Sequence, residues 1–368
     1  MATIKSIKSY HTAVPLKKPF KTALRTVTVA ESVVVHILTE DGRSGFGEAP
    51  PTHVITGDSL ESIEFAVQLI GDALVGQDLR RRELVFEKLH KTMIGNTSAK
   101  AAVDMALYDL MAQIADMALV DFLGGYRHEL ETDFTVSVNS PEEMAQDAVQ
   151  YIKDGFDVLK IKVGIDSVDK DIERIKAIRE RVGYDVVLRL DANQGWEAKS
   201  AVRAISRMED AGLDIELVEQ PVHAKDIEGL KFVTDHTLTD IMADECIFSP
   251  KDALQVLQLR AADLINIKLM KAGGIHQALK INALAETYGV KCMTGSMIET
   301  KLGVGAAAHF AASQPNITRF DFDPPLMLKE DLVPGGIEYN GKTIRLPGKS
   351  GLGIDSDLFL KRLTGRSE

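Results

Sequence analysis

The chain has 368 residues, a formal charge of −11, 45% hydrophobic and 26% charged residues, and two cysteines. Such proportions are ordinary for a globular protein and exclude a disordered chain, and no apolar run is long enough to span a bilayer. The negative charge repels nucleic acid and anionic membranes at long range, so neither is an expected partner.

At this length a large barrel with a smaller domain is favoured over one core. The N-terminal run "MATIKSIKSYHTAVPLKKPFKTALRT" is broken too often by lysine to form a signal-peptide core. Residues 1–130 read as an α+β capping domain. "SVVVHILTEDGRSGFGEA" carries a hairpin signal at "EDGRSG", and a long amphipathic helix follows over "SAKAAVDMALYDLMAQIADMALVDFLGG". "GFGEAPP" and "TGDS" read as cap loops that shield a site, with no chemistry of their own. Cys246 and Cys292 are too few for a disulfide scaffold or a thiolate metal site; they read as small buried residues and fit a reducing, cytoplasmic location.

Residues 131–325 repeat a unit of a short β-branched run, a polar turn and a helical stretch. The strands are "DFTVSV", "VLKIKV", "VVLRLD", "IELVEQ", "DIMADE", "DLINIKL", "VKCMTGS" and "ITRFDFD". Between the first two, "SPEEMAQDAVQYIKDG" has a serine cap, proline at the first helical position and glycine near its stop. Alternation of this kind requires parallel strands with crossover helices, and eight units close a (β/α)8-type barrel. Residues 326–368, rich in glycine and turn dipeptides, read as a tail that returns to the cap.

In such a barrel the C-terminal strand ends line the active-site mouth. Strands three, four and five end in Asp191, Glu219 and Asp244. Neighbouring strands lie about 4.8 Å apart, so the three carboxylates surround one point and need a cation. All-oxygen ligands favour Mg2+ first and Mn2+ second. Glu245 stands beside Asp244 and is the alternative ligand. Strands two and six end in Lys160, Lys162 and Lys268, and they face each other across the ring with the acids between. A divalent ion and a second lysine would lower a lysine pKa toward that of a useful base. The ion would acidify the α-proton of a bound carboxylate by stabilising the enediolate. Two lysines on opposite sides would then invert the α-carbon.

On strand eight, Asp321 and Asp323 would share a face, about 7 Å apart. Their positive partner could be a metal, a lysine or part of a substrate.

Taken in order, "KIKVG", "DANQGW", "VEQP", "ADE", "NIKLMKAGGI" and "GSMIET" resemble the enolase superfamily, its muconate-lactonizing-enzyme subgroup and, within it, the dipeptide epimerases acting on Ala-Glu. The resemblance covers essentially the whole chain. It implies Asp191, Glu219 and Asp244 as Mg2+ ligands, Lys162 and Lys268 as the acid/base pair, and Lys160 as a group polarising the bound carboxylate. It also implies that Asp321 and Asp323 bind the dipeptide's ammonium and that Arg25 pairs with a glutamate side chain. Thr135, Ser296 and Ile298 correspond to pocket-lining positions. A small dipeptide substrate, a role in recycling cell-wall peptides and a homo-oligomer are expected on the same ground.

Relatives with this machinery act as cycloisomerases or N-acylamino acid racemases, whose substrates lack a free ammonium. A barrel that binds metal or an acidic metabolite without turnover is the alternative of another class.

Overall fold

The computed structural model of the protein describes residues 2–365. Met1 of the expected cap and residues 366–368 of the expected tail lie outside them. Near the N-terminus, strands Ile4–Lys21, Thr26–Thr39 and Ser44–Ala49 form an antiparallel sheet. The hairpin lies where "EDGRSG" places it, with Leu38 opposite Ser44 and Gly42 turning at φ +88°. The first strand was not anticipated. Its lysines break any apolar run, yet the strand is paired with its neighbour over most of its length.

Helix Thr97–Ile114 packs on this sheet by backbone contact. A Cβ on Gly47 would lie 1.9 Å from the carbonyl of Ala102, and one on Gly45 would lie 2.4 Å from that of Ala106. The G-F-G triplet is therefore a packing surface for an alanine-rich helix. The helix expected to run on to "DFLGG" instead breaks at Asp116, which takes φ 52°, and restarts as Leu119–Leu123. Met117 N closes that turn on Ala112 O at 3.0 Å, the pattern of a left-handed helix stop.

All eight expected barrel strands form: Phe134–Val136, Val158–Lys162, Val187–Asp191, Ile215–Glu219, Asp240–Ala243, Leu264–Lys268, Lys291–Gly295 and Ile317–Phe320. They pair in chain order, all parallel. Strands one and eight meet through Asp133 N to Phe320 O at 3.2 Å. Helix Pro141–Lys153 starts as its sequence indicates, with Ser140 accepting from Glu143 N. Strand eight is followed by only one helical turn, Pro324–Met327, in place of a full crossover helix.

Inside the barrel Leu217, Met242, Leu264 and Met293 form a fully packed apolar cluster. Each stands two residues before Glu219, Asp244, Asn266 or Gly295, so strand alternation carries the chain from apolar plug to polar mouth. Past the barrel, Glu338–Asn340 and Thr343–Arg345 build a small sheet with Glu129–Glu131. The chain then reaches the N-terminal layer, where Leu352 N donates to Asp109 Oδ1 at 2.9 Å and Phe359 packs edge-on against Phe46. Among the described residues no helix is long and apolar enough to cross a membrane.

The backbone contact at Gly47 leaves no space for a methyl group, whereas Gly348 faces nothing within 4 Å. Gly47→Ala should therefore cost about 2 to 3 kcal/mol in urea denaturation, and Gly348→Ala less than about 0.5 kcal/mol.

Candidate active site

The barrel mouth collects nearly every charged residue singled out from the sequence. Asp191, Glu219 and Asp244 are completely buried at neighbouring strand ends. Lys160, 1% exposed, reaches three acids: Glu219 Oε2 at 2.7 Å, Asp321 Oδ2 at 2.8 Å and Asp191 Oδ2 at 3.2 Å. Lys162 pairs with Asp191 Oδ2 at 2.5 Å, and Lys268 pairs with Asp244 Oδ2 at 2.8 Å. The two lysines thus approach the acids from strands two and six, as the strand count requires.

Several partners were not foreseen. Lys271, completely buried, meets Asp244 Oδ1 at 2.5 Å. Asn266 donates to Glu219 Oε1 at 2.8 Å, and Asn193 donates to Glu245 Oε1 at 3.1 Å. Asn266 was within reach of sequence reasoning, because it shares the inward face of its strand with Leu264 and Lys268. Asn193 follows strand three at φ 41°, a turn that no periodicity reveals. Strand alternation does not separate Asp244 from Glu245, since strand five ends at Ala243. Both acids are buried, one between two lysines and the other on Asn193.

The environment pulls these acids apart in pKa. Burial works against an ionised Asp191, but the ammoniums of Lys162, Lys160 and Lys268 hold it down to about 2. Asp244 is likewise buried, and Lys268 and Lys271 keep it well below the usual carboxylate range. Burial and the Asp191 charge push Glu219 up to about 7, and burial with Asp244 pushes Glu245 up to about 8. For Lys268, burial disfavours the ammonium, yet Asp244, Glu219 and Glu245 outweigh it and raise the pKa above the usual lysine value. Lys160 acts in the lowering sense but is outweighed by the acids, so the lowering expected beside a divalent ion depends on the added charge of that ion.

Asp321 and Asp323 also differ from expectation. Strand eight stops at Phe320, so both lie beyond it and alternation does not relate them. Lys160 supplies the positive partner of Asp321, and Lys160, Lys162 and Lys268 lower its pKa against the effect of burial. Asp323 sits at the start of the Pro324–Met327 turn and accepts from Thr135 N at 2.6 Å. Burial and the neighbouring Asp321 raise it to about 7.

One cleft joins the remaining residues. Lys162 and Lys268 line it together with Asp321, Asp323, Thr135 and Asn193. Phe20 at the end of the first cap strand, Arg25 in the turn that follows it, and Ser296 and Ile298 in the seventh-strand loop complete it. The Arg25 guanidinium makes no ion pair among the described residues, and burial lowers its pKa without an acid to offset it. Lys160 and the three strand-end acids are not among the residues lining the cleft; they lie behind the two catalytic candidates.

Among the described residues no three acidic, histidine or cysteine side chains already surround a point as a formed metal cage, because ammoniums stand between the acids. The donor set nevertheless fits a hard divalent ion. The mouth holds six buried carboxyls, those of Asp191, Glu219, Asp244, Glu245, Asp321 and Asp323, against four buried ammoniums, an excess of two negative charges when all are ionised. Glu245 Oε2 is buried with no hydrogen-bond partner, and Glu219 Oε2 and Asp244 Oδ1 have only an ion-pair neighbour.

An eight-stranded parallel barrel with acids and opposed lysines at its C-terminal mouth, closed by an α+β layer, defines the enolase class of barrel enzymes. Residues 143–359 match the enolase C-terminal domain-like family and residues 4–124 the N-terminal domain of mandelate racemase and muconate lactonizing enzyme, so the chain belongs to this family. It is 63% identical over 356 residues to the L-Ala-D/L-Glu epimerase of Bacillus subtilis, covering 96% of this chain and 97% of that one. The substrate-liganded structure of the L-Ala-D/L-Glu epimerase from Bacillus subtilis superposes with a TM-score of 0.95, at 63% identity over 96% of this chain and 99% of that one. The Enterococcus faecalis dipeptide epimerase, complexed with Mg and L-Leu-L-Tyr, gives 0.93 at 47% identity over 96% and 99% of the two chains.

Because one nearly buried ammonium holds three carboxylates apart, Lys160→Met should destabilise the protein by about 3 to 5 kcal/mol at pH 7.5. Without Lys160 these carboxyls protonate at higher pH, so the deficit in urea denaturation should shrink as the pH is lowered to 5. A deficit independent of pH would mean that lost packing, not lost charge, sets the cost.

Proposed function

We propose that the protein is a Mg2+-dependent dipeptide epimerase that inverts the C-terminal α-carbon of L-Ala-L-Glu and L-Ala-D-Glu. The reading rests on one observation above all: a single cleft presents two lysines, a pair of carboxyls and an arginine that has no acidic partner among the described residues. A zwitterionic dipeptide with an acidic second residue carries the complementary charges. Residues 1–130 act as the cap, 131–325 as the catalytic barrel and 326–368 as the tail that ties the two. The chain works in the cytoplasm as a homo-oligomer, in the turnover of cell-wall peptides.

Asp191, Glu219 and Asp244 would hold the ion, which when bound supplies positive charge to the substrate carboxylate and so acidifies the α-proton. Lys160 adds charge beside the same carboxylate. One of Lys162 and Lys268, as the free amine, takes the α-proton; the other, as the ammonium, returns a proton to the opposite face. Each turnover leaves the two lysines with exchanged protonation, ready for the reverse direction. Asp321 and Asp323 receive the substrate ammonium, with Thr135 N holding Asp323 in place. Arg25 receives the glutamate side chain in a two-pronged contact. Ser296 and Ile298 shape the wall between. An N-acylated amino acid has no ammonium for the Asp321/Asp323 end, which disfavours a racemase of that kind.

Proton NMR of L-Ala-L-Glu in D2O with enzyme and Mg2+ should show the glutamate α-proton replaced by deuterium and the second diastereomer appearing, both abolished by EDTA. Turnover of N-acylated amino acids in place of the dipeptide would sink the proposal. Arg25→Ala should lower kcat/KM for L-Ala-L-Glu by about 10- to 100-fold and that for L-Ala-L-Leu by less than about 3-fold; equal losses would remove Arg25 as the selector. Asp323→Asn, which leaves Lys160 untouched, should raise the dipeptide KM by about 10-fold with Mg2+ affinity unchanged in calorimetry.

A further inference from the structure

The segment that follows Lys268 is gripped by the cap in a way that proton transfer by itself does not require. Asp104, in the middle of helix Thr97–Ile114, is completely buried and makes no salt bridge among the described residues. Its two oxygens accept from Ile275 N at 2.6 Å and His276 N at 3.2 Å, the otherwise free donors in the first turn of helix Ile275–Thr287. Gly274, at φ +113°, closes onto the same carboxyl, and a Cβ there would stand 2.2 Å from Asp104 Cγ. The ring of His276 stacks on Phe86 with centroids 4.4 Å apart, so a second cap helix holds the same turn.

At the other end of this short stretch Lys268 and Lys271 both close on Asp244. Only the turn Leu269–Ala272, which contains Lys271, and two glycines separate Lys268 from the anchored donors. We propose that Asp104 is a positioning residue for proton transfer, holding residues 269–276 from the cap so that the Lys268 ammonium keeps its place at Asp244 and on its side of the cleft. The kinetic consequence rests on the two-lysine reading above; the structural one stands on geometry alone.

Glu48 supplies the comparison. This second buried cap carboxyl accepts from Thr300 N at 3.0 Å and Gly303 N at 2.8 Å, and so fastens the loop carrying Ser296 and Ile298 rather than a lysine. In amide hydrogen exchange by mass spectrometry, Asp104→Asn should speed residues 269–278 by about 10-fold or more and leave 296–305 at the wild-type rate, with the reverse in Glu48→Gln.

In D2O the α-proton of each dipeptide diastereomer reads one lysine, and Lys268→Ala identifies the diastereomer that Lys268 deprotonates. Asp104→Asn should slow that diastereomer by about 10-fold and the other by less than about 3-fold. Equal slowing of both, or amide exchange that is unchanged or raised throughout, would overturn the proposal. If the wild type exchanges neither α-proton, the dipeptide reading fails, and amide exchange alone still decides for or against the anchor. If Asp104→Asn does not fold, Gly274→Ala, which presses on the same carboxyl from the barrel side, should give the same local pattern.

Discussion

A charge taken out of water costs several kcal/mol unless it is paired and hydrogen-bonded, and ten ionisable groups share the mouth of this barrel. The arrangement survives because strands two to six bring lysines and acids to one end of the barrel, where each of the four ammoniums touches at least one carboxylate. Lys160 is the keystone, with three carboxylates within 3.2 Å of its ammonium. The pairing is incomplete by two negative charges. Burial and neighbouring carboxylates push Glu219 and Glu245 up, the lysine ammoniums hold Asp191 and Asp244 down against burial, and the net negative charge makes the mouth receptive to a divalent ion.

The junction between cap and barrel follows a different rule. Glu48, Asp104 and Asp109 are buried carboxyls that bond to backbone N–H groups and make no salt bridge among the described residues. Such contacts are directional, because a helix offers free donors only in its first turn. They hold the cap in register with the helices after strands six and seven and with the returning tail. The cleft draws Arg25 from one layer and Lys268 and Ile298 from the other, so its shape depends on that register.

Division of labour between the layers separates chemistry from selection. On the proposed reading the barrel carries the lysines that would move a proton, while the cap brings the guanidinium that would distinguish an acidic side chain from an apolar one. Relatives of similar fold include an L-Ala-D/L-Glu epimerase and a hydrophobic dipeptide epimerase, so this scaffold accommodates different dipeptides.

Much of this was readable in one dimension. Eight short apolar runs, six of them ending in acids or lysines, specified the barrel, its order and the opposition of Lys162 to Lys268, because strand alternation and strand spacing are local, rigid rules. Rules of that kind stop where strands stop. Asp321 and Asp323 lie past the end of strand eight, Glu245 past the end of strand five and Asn193 in a left-handed turn, so their partners could not be derived from periodicity. The roles of Glu48, Asp104 and Lys271 were equally hidden, since each depends on elements far apart in the chain. The sequence by itself determined which charges stand at the barrel mouth; only the tertiary structure decided which of them touch, because burial and pairing are set by distances between strands, loops and cap that no local pattern encodes.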